Sequence, residues 1–353
     1  MDADLTGSLC ERVRAAAGDA TPLAITGGGT KDFLGRMTQA EPLDVSGHRG
    51  IVTYEPTELV LSARGGTPLS EVDAALSGQG QMLAFEPPGF GEAATIGGTI
   101  AAGLSGPARP YAGAARDFVL GTRVLNGKGE ALRFGGEVMK NVAGYDVSRL
   151  MTGAYGTLGV LLEVSLKVLP RPASVRTIAF DMTAAEAVRR CNAWAAKPFP
   201  VTGACHQGDR LRVRLAGTEG GVAAAAGTLG GDLVDDDEFW TALREQTLPF
   251  FTRAGAPLWR MSVPPGAELT SPAGETLVDW GGALRWLRTD VPAAEVRAAV
   301  ERAGGHAVLF RGGDRTGEVF HPLAPAVRRL HERIKAAFDP TGIFNSGRMY
   351  EGI

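Results

Sequence analysis

The sequence predicts a two-domain α+β fold whose first domain is shaped to hold an extended ligand. Three observations carry this expectation. A chain of 353 residues is too long for one ordinary core. Its 49 glycines concentrate before residue 160. The Pro170-Arg171-Pro172 run then separates that half from a stretch of short strands and helices with few glycine clusters. Glycine at this density costs backbone entropy, so it marks places where the chain turns with φ > 0 or approaches a ligand closely.

Composition narrows the function classes. Hydrophobic residues at 44% and charged residues at 21% are enough to build a sizeable core. A net charge of -3 gives no strong field for nucleic acid or anionic lipid. No apolar run approaches the ~20 residues needed to span a bilayer. The opening MDADLTGSLC has no basic segment before an apolar core, so a secretory signal is not expected. A cytoplasmic location is expected, with any membrane association made through partners. Cys10, Cys191 and Cys205 form no CxxC, and the histidines at 48, 206, 306, 321 and 331 form no HxH or HxxxH pair. Neither a disulfide framework nor a protein metal site is therefore expected.

Along the chain, Ser8 to Ala17 reads as a helix with Leu9, Val13 and Ala16 on one face, and Thr21 to Thr26 as a short strand entering Gly27-Gly28-Gly29-Thr30-Lys31. The strand IVTY from Ile51 precedes Glu55-Pro56-Thr57-Glu58, after which Leu59, Val60 and Ala63 fit an amphipathic helix. A second helix is expected over Pro68 to Leu76, after a Gly65-Gly66 turn. From Phe118, FVLGTRVLN, a GKGE turn and ALRFGG read as a hairpin. Tyr155 to Leu169 ends in the period-two alternation of a half-buried strand.

Past Pro172, strands are expected over Ser174 to Phe180, Leu211 to Leu215, Leu258 to Val263, Thr276 to Asp279, Leu284 to Arg288 and Ala307 to Phe310. Helices are expected over Ala184 to Ala196, Gly221 to Gly230 and Asp237 to Leu243. Together they make an α+β domain with an antiparallel sheet. The run Asp235-Asp236-Asp237-Glu238 reads as a solvated helix start. A last helix carries Val327, Leu330, Ile334 and Phe338 at helical spacing, and stops at Asp339-Pro340 before an irregular tail.

Gly27-Gly28-Gly29-Thr30-Lys31 after a strand suits a diphosphate. Successive N–H groups point into one concavity, Thr30 adds a hydroxyl and Lys31 a charge, although the same residues also fit a tight turn. Two other nucleotide motifs fail. A Rossmann fingerprint meets Asp32 where it needs glycine. A Walker A loop ending at Gly127-Lys128 meets Thr122 at its first glycine. The runs Ala93 to Gly103 and Lys140 to Asp146, with Gly153 to Gly159 following, are also almost all small residues. Each alone fits close packing, but together they read as walls of one ligand channel.

The ordered set GGGTK, EPTEL, EPP, ATIGGTIAAG, KNVAGYDVSRLMTGAYGTLGVLLEV and FDPTGIFNSGRM resembles the PCMH-type FAD-binding domain of the vanillyl-alcohol-oxidase superfamily. The resemblance covers residues 20–172 and the C-terminal tail. Within that superfamily EPPGFGEAATIGGTIAAGLSGPARP, RDFVLGTRVLNGKGEALRFGGEVMKNVAGYDVSRLM and KVLPRP resemble the family of smaller FAD-binding subunits of bacterial glycolate oxidases. The resemblance implies a PCMH-type domain of two α+β subdomains over 1–172, an α+β cap domain over 173–325, and a helix and tail over 326–353 that return to the flavin. It places Gly27, Gly28, Gly29, Thr30 and Lys31 around the FAD diphosphate, and Thr95, Gly97, Gly98 and Thr99 along it towards the isoalloxazine. It places Asn141, Gly156, Thr157 and Val160 at the edge of the flavin pocket. Asn345 and Arg348 sit in a segment similar to the family's closing N-P-G-K, with Ser346 in the proline position. Covalent attachment in such proteins uses a histidine or cysteine, often in the first loop. Residues 21–47 contain neither, so non-covalent FAD is expected, with His48 at the surface.

The implied chemistry is oxidation of a 2-hydroxy acid such as glycolate. It needs a basic group at the hydroxyl and a cationic clamp on the carboxylate. Arg260, Arg285, Arg288, Arg311 and His321 are the candidates, although ordinary surface roles explain most residues of these types. Larger relatives in the superfamily carry a histidine-rich metal-assisted substrate site, and no matching cluster stands in this sequence. The expected partners are therefore a larger FAD-binding glycolate oxidase subunit, which would meet the small 2-hydroxy acid, and an iron–sulfur subunit. This chain's own part would be electron relay or assembly. Two alternatives stay open: a stand-alone FAD-dependent 2-hydroxy-acid dehydrogenase, and a non-redox structural subunit with a vestigial flavin fold.

Overall fold

The computed structural model describes residues 3–136, 145–268 and 272–353. Its contacts divide the chain into two units, one of residues 1–104, 114–170 and 315–353, the other of residues 105–113 and 171–314. The first unit therefore resumes at Arg315, ahead of the boundary at 325 expected from sequence, and 105–113 group with the second.

In the first unit a five-stranded antiparallel sheet runs in the order Ile51–Glu55, Val60–Arg64, Val160–Lys167, Val119–Leu125, Ala131–Gly135. Val60–Arg64 is a strand, where the spacing of Leu59, Val60 and Ala63 predicted a helix. Leu59 takes φ 57 and closes a hairpin from Ile51–Glu55. The strand is then paired on both sides, and Val60, Leu61, Ser62 and Ala63 are all buried. A strand covered on both faces loses its alternation, and so cannot be told from a helix by periodicity.

The strand Val160–Lys167 also serves two cores. Leu162 is an extra residue opposite the Arg123–Val124 step, and this bulge reverses the alternation. Val160 and Leu162 thus join Leu9, Val13, Leu23, Leu43 and Phe344 beneath the first helix, Thr6–Asp19. Leu161, Val164 and Leu166 join Leu61, Val72, Phe85, Ile96 and Ile100 on the other side, under the helices Leu69–Ser77 and Ile96–Ala102. Beside the first core, Leu23–Thr26 pairs in parallel with Glu41–Asp44, and Leu23 bridges to Phe344 of the tail.

The last helix, Pro325–Phe338, departs from its expected apolar face. Ile334 and Phe338 pack on the core, but Val327 and Leu330 are 43% and 53% exposed because the first two turns stand clear of it. Among the described residues no helix is long and apolar enough to cross a membrane.

His48, expected at the surface, is 1% exposed. Its Nδ1 accepts from the Leu5 amide at 2.9 Å, and its Nε2 meets the Leu162 carbonyl at 3.0 Å. The neutral tautomer with hydrogen on Nε2 satisfies both, so burial is tolerated. Burial holds its pKa below the ordinary 6.5, against the pull of Asp4. A base with a depressed folded pKa resists protonation that the unfolded chain accepts. Its contribution to stability is therefore flat above the unfolded value and is lost as pH falls below it, by at most ~1.4 kcal/mol per pH unit. Denaturant titrations at about pH 7.5 and 5.5 should show this loss, and His48→Gln should lose less between the two.

The second unit is an eight-stranded antiparallel sheet. Its order is Asp232–Val234, Ser174–Asp181, Arg210–Gly217, Val201–Gln207, Glu275–Asp279, Leu284–Arg288, Leu258–Ser262, His306–Arg311. The first four strands and the helices Ala184–Ala195 and Glu219–Leu229 follow a β-α-β-β-α-β path. Those helices cover Ile178, Leu211, Val213 and Leu215 with Val222 and Ala225. Thr183 and Thr218 cap them by accepting from Glu186 and Gly221 amides. The acidic run begins the helix Asp237–Glu245, and Asp236 accepts from Arg212 Nε at 2.6 Å. The strands Val201–Gln207 and Asp232–Val234 and the helix Ala293–Arg302 were not anticipated.

Candidate functional site

The first strand of the chain ends at Thr26, and the glycine loop begins directly after it. Among the described residues the amides of Gly27, Gly28, Gly29 and Thr30 donate to no acceptor. Four consecutive N–H groups are therefore free for one ligand, the geometry that makes an anion-binding concavity. Gly28 is glycine for a steric reason: a Cβ there would fall 1.5 Å from the Ala93 carbonyl oxygen. Lys31 Nζ donates to the Gly89 carbonyl at 3.1 Å, so the same two loops are tied at a second point.

The second loop feeds the helix Ile96–Ala102, whose cap is Thr95, accepting from the Gly98 amide at 3.2 Å. Gly97 lets this helix lie flush on the chain at Gly65; a Cβ on Gly97 would sit 2.7 Å from the Gly65 oxygen. Close packing and ligand access are thus both achieved by the same small residues.

The third wall is made by the 153–159 loop and the tail. Asn345, 3% exposed with φ 42, accepts from the Ile25 amide at 2.8 Å and donates to the Tyr155 carbonyl at 2.6 Å. Its amide side chain therefore holds the first strand, the loop and the tail in register. Beneath it lies a buried ion pair that the sequence reading missed. Lys335 Nζ donates to Asp339 Oδ2 at 2.8 Å and to the carbonyls of Thr157 and Phe344 at 2.7 Å each. The only cue was a lysine four residues before the helix-ending aspartate. The Arg348 guanidinium is carried from the tail to the cleft. Burial lowers its pKa from the ordinary arginine value, and the Asp32 charge opposes that shift.

These three walls enclose a cleft of about 840 Å³, counting the space at its mouth. Gly27, Gly28, Gly29, Thr30, Lys31, Thr95, Gly97, Gly98, Gly156, Val160, Asn345 and Arg348 all line it. Thr99 and Thr157 do not; both are buried, and Thr157 Oγ1 donates to Ala154 at 2.7 Å. Asn141 lies outside the described residues. Asp32, Met151 and Tyr155 line the cleft unanticipated; Tyr155 has φ 53, a backbone state that no sequence periodicity signals. Free amides, a hydroxyl and two cations suit a diphosphate, and the small-residue walls suit a flat group beyond it. The donor set fits FAD.

The other candidates do not line this cleft. In the second unit, Arg285 is buried and donates to the Gly282 and Ala267 carbonyls at 3.2 and 2.7 Å, so it holds a turn. Arg288 is buried, Arg311 lies 5.9 Å from the Phe310 ring, and Arg260 stacks near Trp280. His321 lies in the first unit, partly exposed.

The fold and cleft define an FAD-binding flavoprotein, and residues 5–135 match the family described as FAD binding domain. Glycolate oxidase subunit GlcE of Escherichia coli (strain K12) is 50% identical over 349 residues, covering 99% of this chain and 98% of that protein. The chain belongs to the family of glycolate oxidase subunit GlcE. Glycolate oxidase subunit GlcD of Bacillus subtilis (strain 168) is 30% identical over 154 residues, 43% of this chain and 33% of that protein. A solved structure of alkyldihydroxyacetonephosphate synthase superposes with a TM-score of 0.65 at 13% identity, over 96% of this chain and 74% of that one. That likeness is one of fold.

Proposed function

We propose that this chain binds FAD non-covalently in the cleft and works as the smaller flavin subunit of a complex that oxidises glycolate to glyoxylate. A larger FAD-binding subunit and an iron–sulfur subunit are its partners, and its own part is electron relay or assembly. The observation that carries the reading is the run of four unpaired amides from Gly27 to Thr30, flanked by Lys31 and Arg348 in one cleft. The amides and Lys31 hold the diphosphate. Arg348 adds a charge at the same cleft, and Asn345 keeps the three walls in place. An isoalloxazine bound there supplies both one- and two-electron chemistry. His48, the nearest histidine to the first loop, has both ring nitrogens on backbone groups and is not available for a covalent link.

The test is the visible spectrum of the purified chain before and after acid precipitation, then with glycolate in the absence of partners. Flavin released to the supernatant, and left oxidised by glycolate, is the expected result. Bleaching by glycolate alone would make this chain a dehydrogenase in its own right. Protein that stays colourless after reconstitution would remove the flavin reading altogether.

Arg348→Met should weaken FAD binding by roughly 10- to 100-fold, the worth of a charge-assisted hydrogen bond. Titration of apoprotein with FAD measures it, and unchanged affinity would exclude Arg348 as a contact.

A further inference from the structure

The second unit contains three consecutive residues in the left-handed region: Trp280 at φ 54, Gly281 at φ 62 and Gly282 at φ 110. Glycines adopt such angles freely, but a tryptophan does so only where its surroundings over-determine it. Here they do. The Trp280 amide donates to Asp279 Oδ1 at 2.7 Å, Asn192 Nδ2 donates to the Gly281 carbonyl at 3.3 Å, and Arg285 Nε donates to the Gly282 carbonyl at 3.2 Å. The indole Nε1 donates to the Gly106 carbonyl at 3.0 Å.

This turn delivers an indole that is 5% exposed to the meeting point of two cations from distant parts of the sequence. The guanidinium carbon of Arg109, at the start of the short helix Arg109–Ala112, lies 4.5 Å from the Trp280 ring centroid. That of Arg260, on the strand Leu258–Ser262, lies 5.1 Å from it. The two charges are consequently no more than about 9.6 Å apart. An aromatic face orients a guanidinium and leaves its N–H edge free to hydrogen-bond. Tyr111 adds a hydroxyl beside Gly281, 3.9 Å from where a Cβ on that glycine would sit. Burial drives the Tyr111 pKa upward, which keeps the phenol protonated as a donor. Arg109 is exposed and Arg260 half-buried, so an anion can enter from solvent.

We propose that Arg109 and Arg260, gathered on the Trp280 indole beside the Tyr111 hydroxyl, form a binding site for a small carboxylate in the second unit. Two planar forks and a hydroxyl donor match the oxygens of a short carboxylic acid, and Trp280 acts as the positioning residue. The chemistry is that of any small oxyanion, so inorganic phosphate is the control ligand.

The experiment is calorimetric titration of the flavin-loaded full chain with glycolate, acetate and inorganic phosphate, with tryptophan fluorescence read alongside. Saturable carboxylate binding with a fluorescence change is expected. Arg260→Gln and Arg109→Gln should each weaken it at least tenfold, and Arg260→Lys should recover part of the loss. Arg109 is exposed, so its variant should keep the fold, checked by circular dichroism and flavin content. Equal affinity in both glutamine variants, or no saturable binding by the unmodified chain, overturns the site. Phosphate binding without carboxylate binding overturns the assignment to carboxylates. Anion capture here requires no flavin, so a colourless chain that still binds glycolate through these arginines would count against the flavin reading alone.

Discussion

Asp339→Ala is expected to destabilise the first unit by about 3–5 kcal/mol, the cost of breaking a buried ion pair from one side. Asp339 is 1% exposed and Lys335 6%. The carboxylate accepts from Lys335 Nζ, from the Phe344 amide at 2.8 Å and from the Ile343 amide at 3.1 Å. Alanine would strand one buried ammonium against two carbonyls and leave two buried amides without an acceptor. The same atoms hold the loop at Thr157 and the tail at Phe344, so the cleft should loosen with the fold. Chemical denaturation and FAD affinity read the two effects. Because neutralising both partners removes the stranded charge, Lys335→Met with Asp339→Asn should lose less than Asp339→Ala alone. A loss below about 1 kcal/mol for Asp339→Ala would mean that water reaches the pair.

The second large effect is on cofactor retention. In Gly28→Ala the new methyl would overlap the Ala93 carbonyl oxygen at 1.5 Å. Backbone cannot yield as a side chain would, so the two loops must move apart. The Lys31 to Gly89 tie and the alignment of the four free amides are disturbed together. Flavin absorbance per protein should fall more than tenfold, with an overpacking cost of about 1–3 kcal/mol in stability. Gly18→Ala supplies the control, because nothing lies within 4 Å of a Cβ there. Full flavin in Gly28→Ala would show that the ligand does not use this loop.

What the sequence disclosed, and what it hid, follows from where the signal is local. The glycine loop, the hairpin Val119–Leu125 with Ala131–Gly135, and the alternating strand Val160–Lys167 each carry turn chemistry or periodicity within a few residues. The strand Val60–Arg64 did not, since burial on both faces erased its period. His48 and Lys335 were illegible for another reason. A polar residue is assigned to the surface by default, and the partners that make burial tolerable come from residues 5 and 162, or 157 and 344, far away in sequence. The glycines posed the opposite problem: packing and ligand binding leave the same trace. Only geometry separates Gly97, set against Gly65, from Gly29, whose amide is unclaimed.

The tail's bonds also fix an order of events during synthesis. Leu23 receives its bridge from Phe344 and donates its amide to Ile343, while Asn345 seals the first strand to the Tyr155 loop. The glycine loop leaves the ribosome early, but its far wall is made only after the whole of 171–314 has been translated. At ~5–20 residues per second the nascent chain exists for tens of seconds with that wall missing. Cofactor loading is therefore a step that follows release, and a ribosome-stalled chain ending before Ile343 should emerge without flavin.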